Sequence, residues 1–452
     1  MRPSPTRARA RSNPFPHKSL APGAQNLLLL ALPLVGLLIG PSITGAQEER
    51  YDREVADLLS GVAVQEAMRE IVALDAWTQE KLVALTEIPA PPFMEEERAK
   101  AFAQMLENVG ADSVRMDGVG NVLAFRRGRV GNRTVVLGAH MDTVFPEGTD
   151  VTVKARGDTL FAPGIGDDTR GLAVVLTVLR AMEDVGIRTD ADLVFLGSVG
   201  EEGLGDLRGV KHFFAEDGRD TDAFVEVDGG GISSIVNKGL GSIRYRVTFR
   251  GDGGHSWGAF GLVNPVHALG RAIREFAVVA DGLTLDGPRT SFNVGRIGGG
   301  TSINSVPFEA WMEVDMRSES PSSLDSISAA FRRAAQVAAA EEDRFARDGS
   351  SIELEVEQIG LRPSGEVDPS TPLVQRAMAV TRSFGESPYL SRSSTNSNIP
   401  ISLGIPAITI GRGGAGGENH SPGEWWVNED GYKAIQRALL IVLAEAGISG
   451  EG

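Results

Sequence analysis

Three short segments of this chain are apolar almost throughout: Thr134-Val-Val-Leu-Gly-Ala139, Leu193-Val-Phe-Leu-Gly197 and Ala223-Phe-Val-Glu-Val227. A strand with one wet face alternates apolar and polar residues, and these do not. They read instead as strands covered on both faces, the pattern of a mostly parallel sheet between helices. The expected strands are 133–139, 191–196, 223–227 and, near the end, 405–410. Between and around them, helical spacing covers 52–71, 75–86, 95–106, 169–182 and 428–446, with Pro89-Ala-Pro-Pro-Phe93 marking a loop. The fold class this implies is α/β, with helices on both faces of the sheet.

From about residue 243 to 361 the pattern changes. Arg244-Tyr-Arg-Val-Thr-Phe249 alternates like a half-exposed strand. The elements expected after it are a helix at 264–279, strands at 290–297 and 309–316, a helix at 322–341 and a strand at 351–359. This β-α-β-β-α-β order is that of a ferredoxin-like unit. Because α/β signals resume afterwards, the unit reads as an insertion. The expected organisation is an N-terminal segment, 1–46; a first part of the main domain, 47–242; the inserted α+β domain, 243–362; and a second part of the main domain, 363–452.

The chain has 452 residues and a formal charge of -16. Five of its 44 basic residues and none of its 60 acids lie in the first 46 positions, so losing that segment would leave 39 against 60, or -21. Such a surface repels phosphate backbones and argues against nucleic acid as a partner. The segment itself has a basic, Pro-rich lead, an apolar run from Leu27 to Ile39 and small residues before Gln47. It reads as a signal peptide for export to the periplasm or outside, leaving no membrane span after processing; an uncleaved anchor is the alternative. The chain has no cysteine, which excludes disulfides, thiol catalysis and Cys-type zinc sites.

Acids and histidines gather where these strands end. His140-Met-Asp142 follows the first strand, Gly164-Ile-Gly-Asp-Asp168 opens a helix, Glu201-Glu202 follows the second strand and Asp228 the third. His420 lies past the last. Each has an ordinary reading alone: a chance His-x-Asp, an N-cap pair or a plain turn. Together they lie beyond the carboxyl ends of the strands, where open α/β sheets bind ligands. Several carboxylates and two imidazoles cannot share a pocket without cations. Mixed His and carboxylate donors suit zinc, manganese or cobalt rather than calcium. Two divalent ions sharing one carboxylate would fit the count and suit hydrolysis.

This ordered series, with the insertion, resembles the M20 metallopeptidases, the family of glutamate carboxypeptidase, peptidase T, acetylornithine deacetylase and aminoacylase. The resemblance covers nearly all of the chain after about residue 75. It implies that Asp167 bridges two metals, that His140 and Asp228 complete one position, and that Glu202 and His420 complete the other. It makes Asp142 the residue that orients His140, and Glu201 the general base. In the inserted domain, His255 resembles a lid histidine that reaches the neighbouring subunit's site, which implies a homodimer through that domain. Asn304 in Asn-x-x-Pro and Arg317 are candidate substrate contacts, Arg317 having an ion pair with Asp315 or Glu313 as its other reading. Many relatives carry an acid in the segment before the last strand, where this chain has Asn396.

The implied activity is di-zinc hydrolysis of amide bonds in small peptides, as a dipeptidase, tripeptidase or carboxypeptidase. The alternative is deacylation of N-acyl amino acids on the same scaffold. A catalytically dead binding relative is disfavoured by the presence of Glu201 together with every ligand position. A single-domain aminopeptidase of the M28 type is disfavoured by the insertion.

Overall fold

The computed structural model describes residues 45–448. The expected signal segment, 1–46, lies outside them except for Gly45 and Ala46, which begin the helix Gly45–Ser60. No helix among the described residues is long and apolar enough to cross a membrane.

A nine-stranded sheet forms the main body. At its centre Asp192–Ser198, Thr134–His140, Ala223–Val227 and Ala407–Ile410 run parallel. Ser113–Met116 and Val122–Arg126 close one side antiparallel, and Ser234–Gly239 pairs antiparallel with Ala407–Ile410 on the other. The central strands are buried on successive residues, so both faces are covered, as their unbroken apolar character requires. Helices Thr169–Val185 and Tyr432–Ala446 pack on Thr134–His140.

A second, four-stranded sheet is antiparallel, in the order Thr290–Gly299, Glu309–Ser318, Gly241–Arg250, Glu353–Arg362. With helices Pro265–Thr284 and Pro321–Phe345 it completes the expected ferredoxin-like arrangement. The strand Glu309–Ser318 alternates between half-buried and buried residues, since only one of its faces meets the helices. Inside, Phe331 stacks on Tyr245 and meets Phe276 edge-on, with centroids 5.6 and 5.0 Å away. Burying one such phenyl ring contributes about 1.5–3 kcal/mol. The other face carries cross-strand ion pairs between residues directly opposite each other, Arg246–Glu313 at 2.7 Å and Arg244–Asp315 at 2.9 Å. The two sheets are joined through Leu240 and through 363–364.

The structure adds elements the sequence reading lacks, among them the helix Pro372–Ser383 and the strands Ser113–Met116 and Val122–Arg126, and alters others. The expected helix at 52–71 is two helices, Gly45–Ser60 and Val62–Ala73, parted at Gly61, whose backbone is extended. The last helix begins at Tyr432 rather than 428, because Trp425–Val427 is a strand and Asn428 accepts a bond from Gly431 N–H in the turn that follows. That strand belongs to a small four-stranded sheet with Ala415–Gly417, Thr159–Phe161 and Lys154–Arg156. Its members are three residues long, too short for periodicity to reveal.

Candidate metal centre

The strand Thr134–His140 delivers His140 to the sheet's carboxyl edge, and Met141 N–H extends the ladder to Ser198 C=O at 2.7 Å. Arg98, fully buried, holds the turn by donating to Met141 C=O at 2.8 Å. The nearer partner of His140 Nδ1 is the backbone carbonyl of Asp142 at 3.0 Å; the carboxylate lies at 3.5 Å. That carboxylate accepts Glu201 N–H at 2.9 Å and Glu202 N–H at 2.8 Å. Asp142 therefore holds the imidazole and the Glu201–Glu202 turn at once.

Asp167 and Asp168 follow a loop that a single acid organises. Buried Glu424 accepts N–H bonds from Gly164, Gly166 and Asp167 at 2.7, 3.0 and 2.8 Å. The peptide between Asp167 and Asp168 is cis. Asp168 occupies the N-cap position of Thr169–Val185 but makes no capping bond. Its Oδ2 instead accepts His140 N–H at 3.2 Å, and its Oδ1 finds no hydrogen-bond partner among the described residues. The N-cap reading of this pair fails because the carboxylate is turned into the site. Gly171 makes room for it, since a Cβ there would meet the Asp168 oxygens at 2.3 and 2.4 Å.

Asp167 Oδ1 lies 3.3 Å from His140 Nε2, and its Oδ2 lies 3.2 Å from His420 Nε2. His420 Nε2 is also 2.9 Å from Glu202 Oε1. Atoms of His140, Asp167 and Glu202 that could hold an ion lie within 4.8 Å of one another. Such contacts require positive charge between carboxylate and imidazole, supplied by a proton or a metal ion. Without a metal, the contacts with Asp167 and Glu202 push His420 up to about 10. Nitrogen and oxygen donors this close, with an orphaned Asp168 oxygen behind them, fit a divalent transition metal. Asp228 stands beside this group after Ala223–Val227, its N–H bound to Ile410 C=O at 2.9 Å.

Glu201 is held from the inserted domain. It is buried, and Arg362, at the end of Glu353–Arg362, donates Nη1–H to Glu201 Oε1 at 2.9 Å and Nη2–H to the Glu201 carbonyl. Burial, opposed by Arg362 and aided by the Glu202 charge, pushes the Glu201 carboxyl up to about 8. Asn396 is buried against an acid of the strand Ala223–Val227. Asn396 Nδ2–H donates to Glu226 Oε1 at 2.6 Å and to Ser198 Oγ at 2.9 Å.

The candidates of the inserted domain lie apart in their bonding. Gly254–His255 pairs with Ser305–Val306 in a two-stranded ribbon, which Asn304 immediately precedes, and Ser256 N–H donates to Asn304 C=O at 2.9 Å. His255 and Asn304 are exposed, and His255 Nδ1 accepts Trp257 N–H at 3.2 Å within its own loop. Arg317 pairs with Asp315 at 2.7 Å, the alternative reading of that residue. Residue-by-residue reading missed Arg98, Arg362, Arg412 and Glu424. Arg362 and Arg412 follow strands as the acids do, so the same positional signal applied to basic residues would have found them.

The model of peptidase family M20/M25/M40 matches residues 136–444. The chain belongs to this family. It is a metal-dependent hydrolase with a main domain and a lid, and the inserted unit is that lid. The uncharacterized protein YqjE of Bacillus subtilis is 23% identical over 380 residues, covering 80% of this chain and 96% of YqjE. Aminopeptidase PepT of Bacillus cereus ATCC 10987 superposes with a TM-score of 0.64 at 22% identity, over 81% of this chain and 97% of PepT. YXEP of Bacillus subtilis, a dinuclear metal-binding peptidase from the M20 family, superposes with a TM-score of 0.58 at 18% identity, over 83% and 99% of the two chains.

Proposed function

We propose that this protein cleaves amide bonds of small peptides, with two divalent ions, zinc first, between Asp167, His140, Asp228, Glu202 and His420. One observation carries the reading: Asp167 offers one oxygen toward His140 and the other toward His420, as a shared ligand must. Bound there, the ions would polarise the scissile carbonyl and make water a nucleophile at neutral pH. Glu201 takes a proton from the attacking water and returns it to the leaving amine. Its burial suits this role, since a carboxyl pushed up toward 8 holds and releases a proton near neutrality, and cations alongside would draw that value down. Asp142 keeps the imidazole of His140 and the two glutamates in register.

A small peptide as substrate is supported by the likeness to PepT and YXEP. A cavity of about 110 Å³ beside Asp228, lined by Ser393, Thr395 and Thr409, suits a small polar group. Dimerisation through the lid, with His255 acting in a partner's site, is supported by Trp257, Phe260 and Ile303, which expose large apolar surface on that ribbon. Export is supported by the composition of residues 1–46 alone.

The test is metal content of the purified protein, followed by turnover on dipeptides, tripeptides and N-acyl amino acids. Glu201→Gln should keep its metal while turnover falls about 10²–10⁴-fold. Full activity in that variant removes Glu201 from the role of base, and preference for N-acyl amino acids makes the chain a deacylase.

A further inference from the structure

One charged group in the metal centre has no part in the reaction above. Arg412 follows the strand Ala407–Ile410 in Gly411-Arg-Gly-Gly414. Its backbone is pinned, with Arg412 N–H donating to Gly229 C=O at 3.2 Å and Gly413 N–H to Gly230 C=O at 3.3 Å. Its side chain is buried. Nη1 lies 3.4 Å from Asp167 Oδ1, 3.6 Å from Asp228 Oδ1 and 3.8 Å from Asp168 Oδ1. None of these is a tight ion pair. The guanidinium is a positive charge spread among three carboxylates.

The atoms it faces divide the site. Asp167 Oδ1 is the oxygen on the His140 side, and Asp228 belongs to that side as well. Asp167 Oδ2 and Glu202 Oε1, on the His420 side, face the imidazole instead. A divalent ion bound with His140 and Asp228 would share its oxygens with a fixed cation, whereas one bound with Glu202 and His420 would not. Like charges at such separations in a buried site repel strongly, and Arg cannot shed its proton.

We propose that Arg412 is a resident cation that makes the two metal positions unequal: the chain holds one divalent ion tightly through Asp167, Glu202 and His420, and a second weakly through His140 and Asp228. This rests on the ligand assignment of the proposed function. The second ion, and with it full activity, then depends on the surrounding metal concentration.

The experiment is calorimetric titration of chelator-stripped full chain with Zn²⁺, with bound metal counted after dialysis. The wild-type protein should bind in two steps separated by about 100-fold in affinity, and one ion per chain should survive dialysis. Arg412→Met should tighten the weak step by about tenfold or more while leaving the tight step nearly unchanged. Arg412→Lys keeps the charge and should keep the two steps apart. Two equal steps in the wild type, or an unchanged gap in Arg412→Met, would overturn the proposal. The wild-type isotherm decides even if the Met variant does not fold. Absence of any Zn²⁺ binding strikes instead at the ligand assignment, so the two failures are distinguishable.

Discussion

The strand-end cluster of the main sheet and the ribbon of the lid both carry histidine, and they treat it oppositely. His140 is buried, with both ring nitrogens facing acceptors and its backbone tied to Asp168. His255 is exposed, and its side-chain bonds stay within its own turn. In the first region the acids are tied to distant segments, as when the Glu424 carboxylate holds the backbone of the loop before Asp167. In the second, the loop is tied by backbone bonds, Ser256 N–H to Asn304 C=O and Arg347 N–H to Gly261 C=O, and its histidine ring is left exposed. The candidate ligands His140, Asp167 and Glu202 are thus brought together within one chain, whereas His255 stands exposed.

That contrast can be broken. If His255 serves a partner's site as an oxyanion donor, His255→Ala should slow turnover about 10²–10³-fold while metal content stays unchanged. Mixing it with Glu201→Gln protein should restore activity neither variant has alone, because one site in each mixed dimer is whole. No restoration confines His255 to its own chain. Asp142→Asn tests the buried side, because it sets an amide against two N–H groups that now share a carboxylate. Metal affinity, measured by competition with a chelator, should fall about 10–100-fold.

Arg362 links the regions, since it leaves the lid sheet and grips Glu201. Arg362→Gln should lower kcat about tenfold with less change in KM. Its charge holds the Glu201 carboxyl down against burial, so removing it raises that pKa. The base must be ionised to act, and the acid limb of the rate profile should therefore move to higher pH; an unmoved limb denies Arg362 that influence. The smallest effect is expected at Arg317, whose partner is Asp315 rather than the cluster. Arg317→Ala should change KM by less than about twofold, as for a surface ion pair, and a large rise in KM would return it to the substrate site.

Much of the centre was legible because each member follows an apolar strand: His140, Glu201, Asp228 and, after the last, His420. The sheet's parallel order and the insertion were legible for the same reason, since burial on two faces and burial on one leave different periods. The aspartate pair was legible as a place but not as a geometry. Nothing local distinguishes a capping carboxylate from one turned toward His140 N–H, 28 residues away.

The sequence by itself determined which acids and imidazoles stand at the ends of the strands, because strand period and position are local properties. Only the tertiary structure decided which charges face them. Glu424 reaches Asp167 across 257 residues, Arg412 reaches it across 245 and Arg362 reaches Glu201 across 161. The field inside a buried site is summed over groups close in space, and chain order carries no record of that distance.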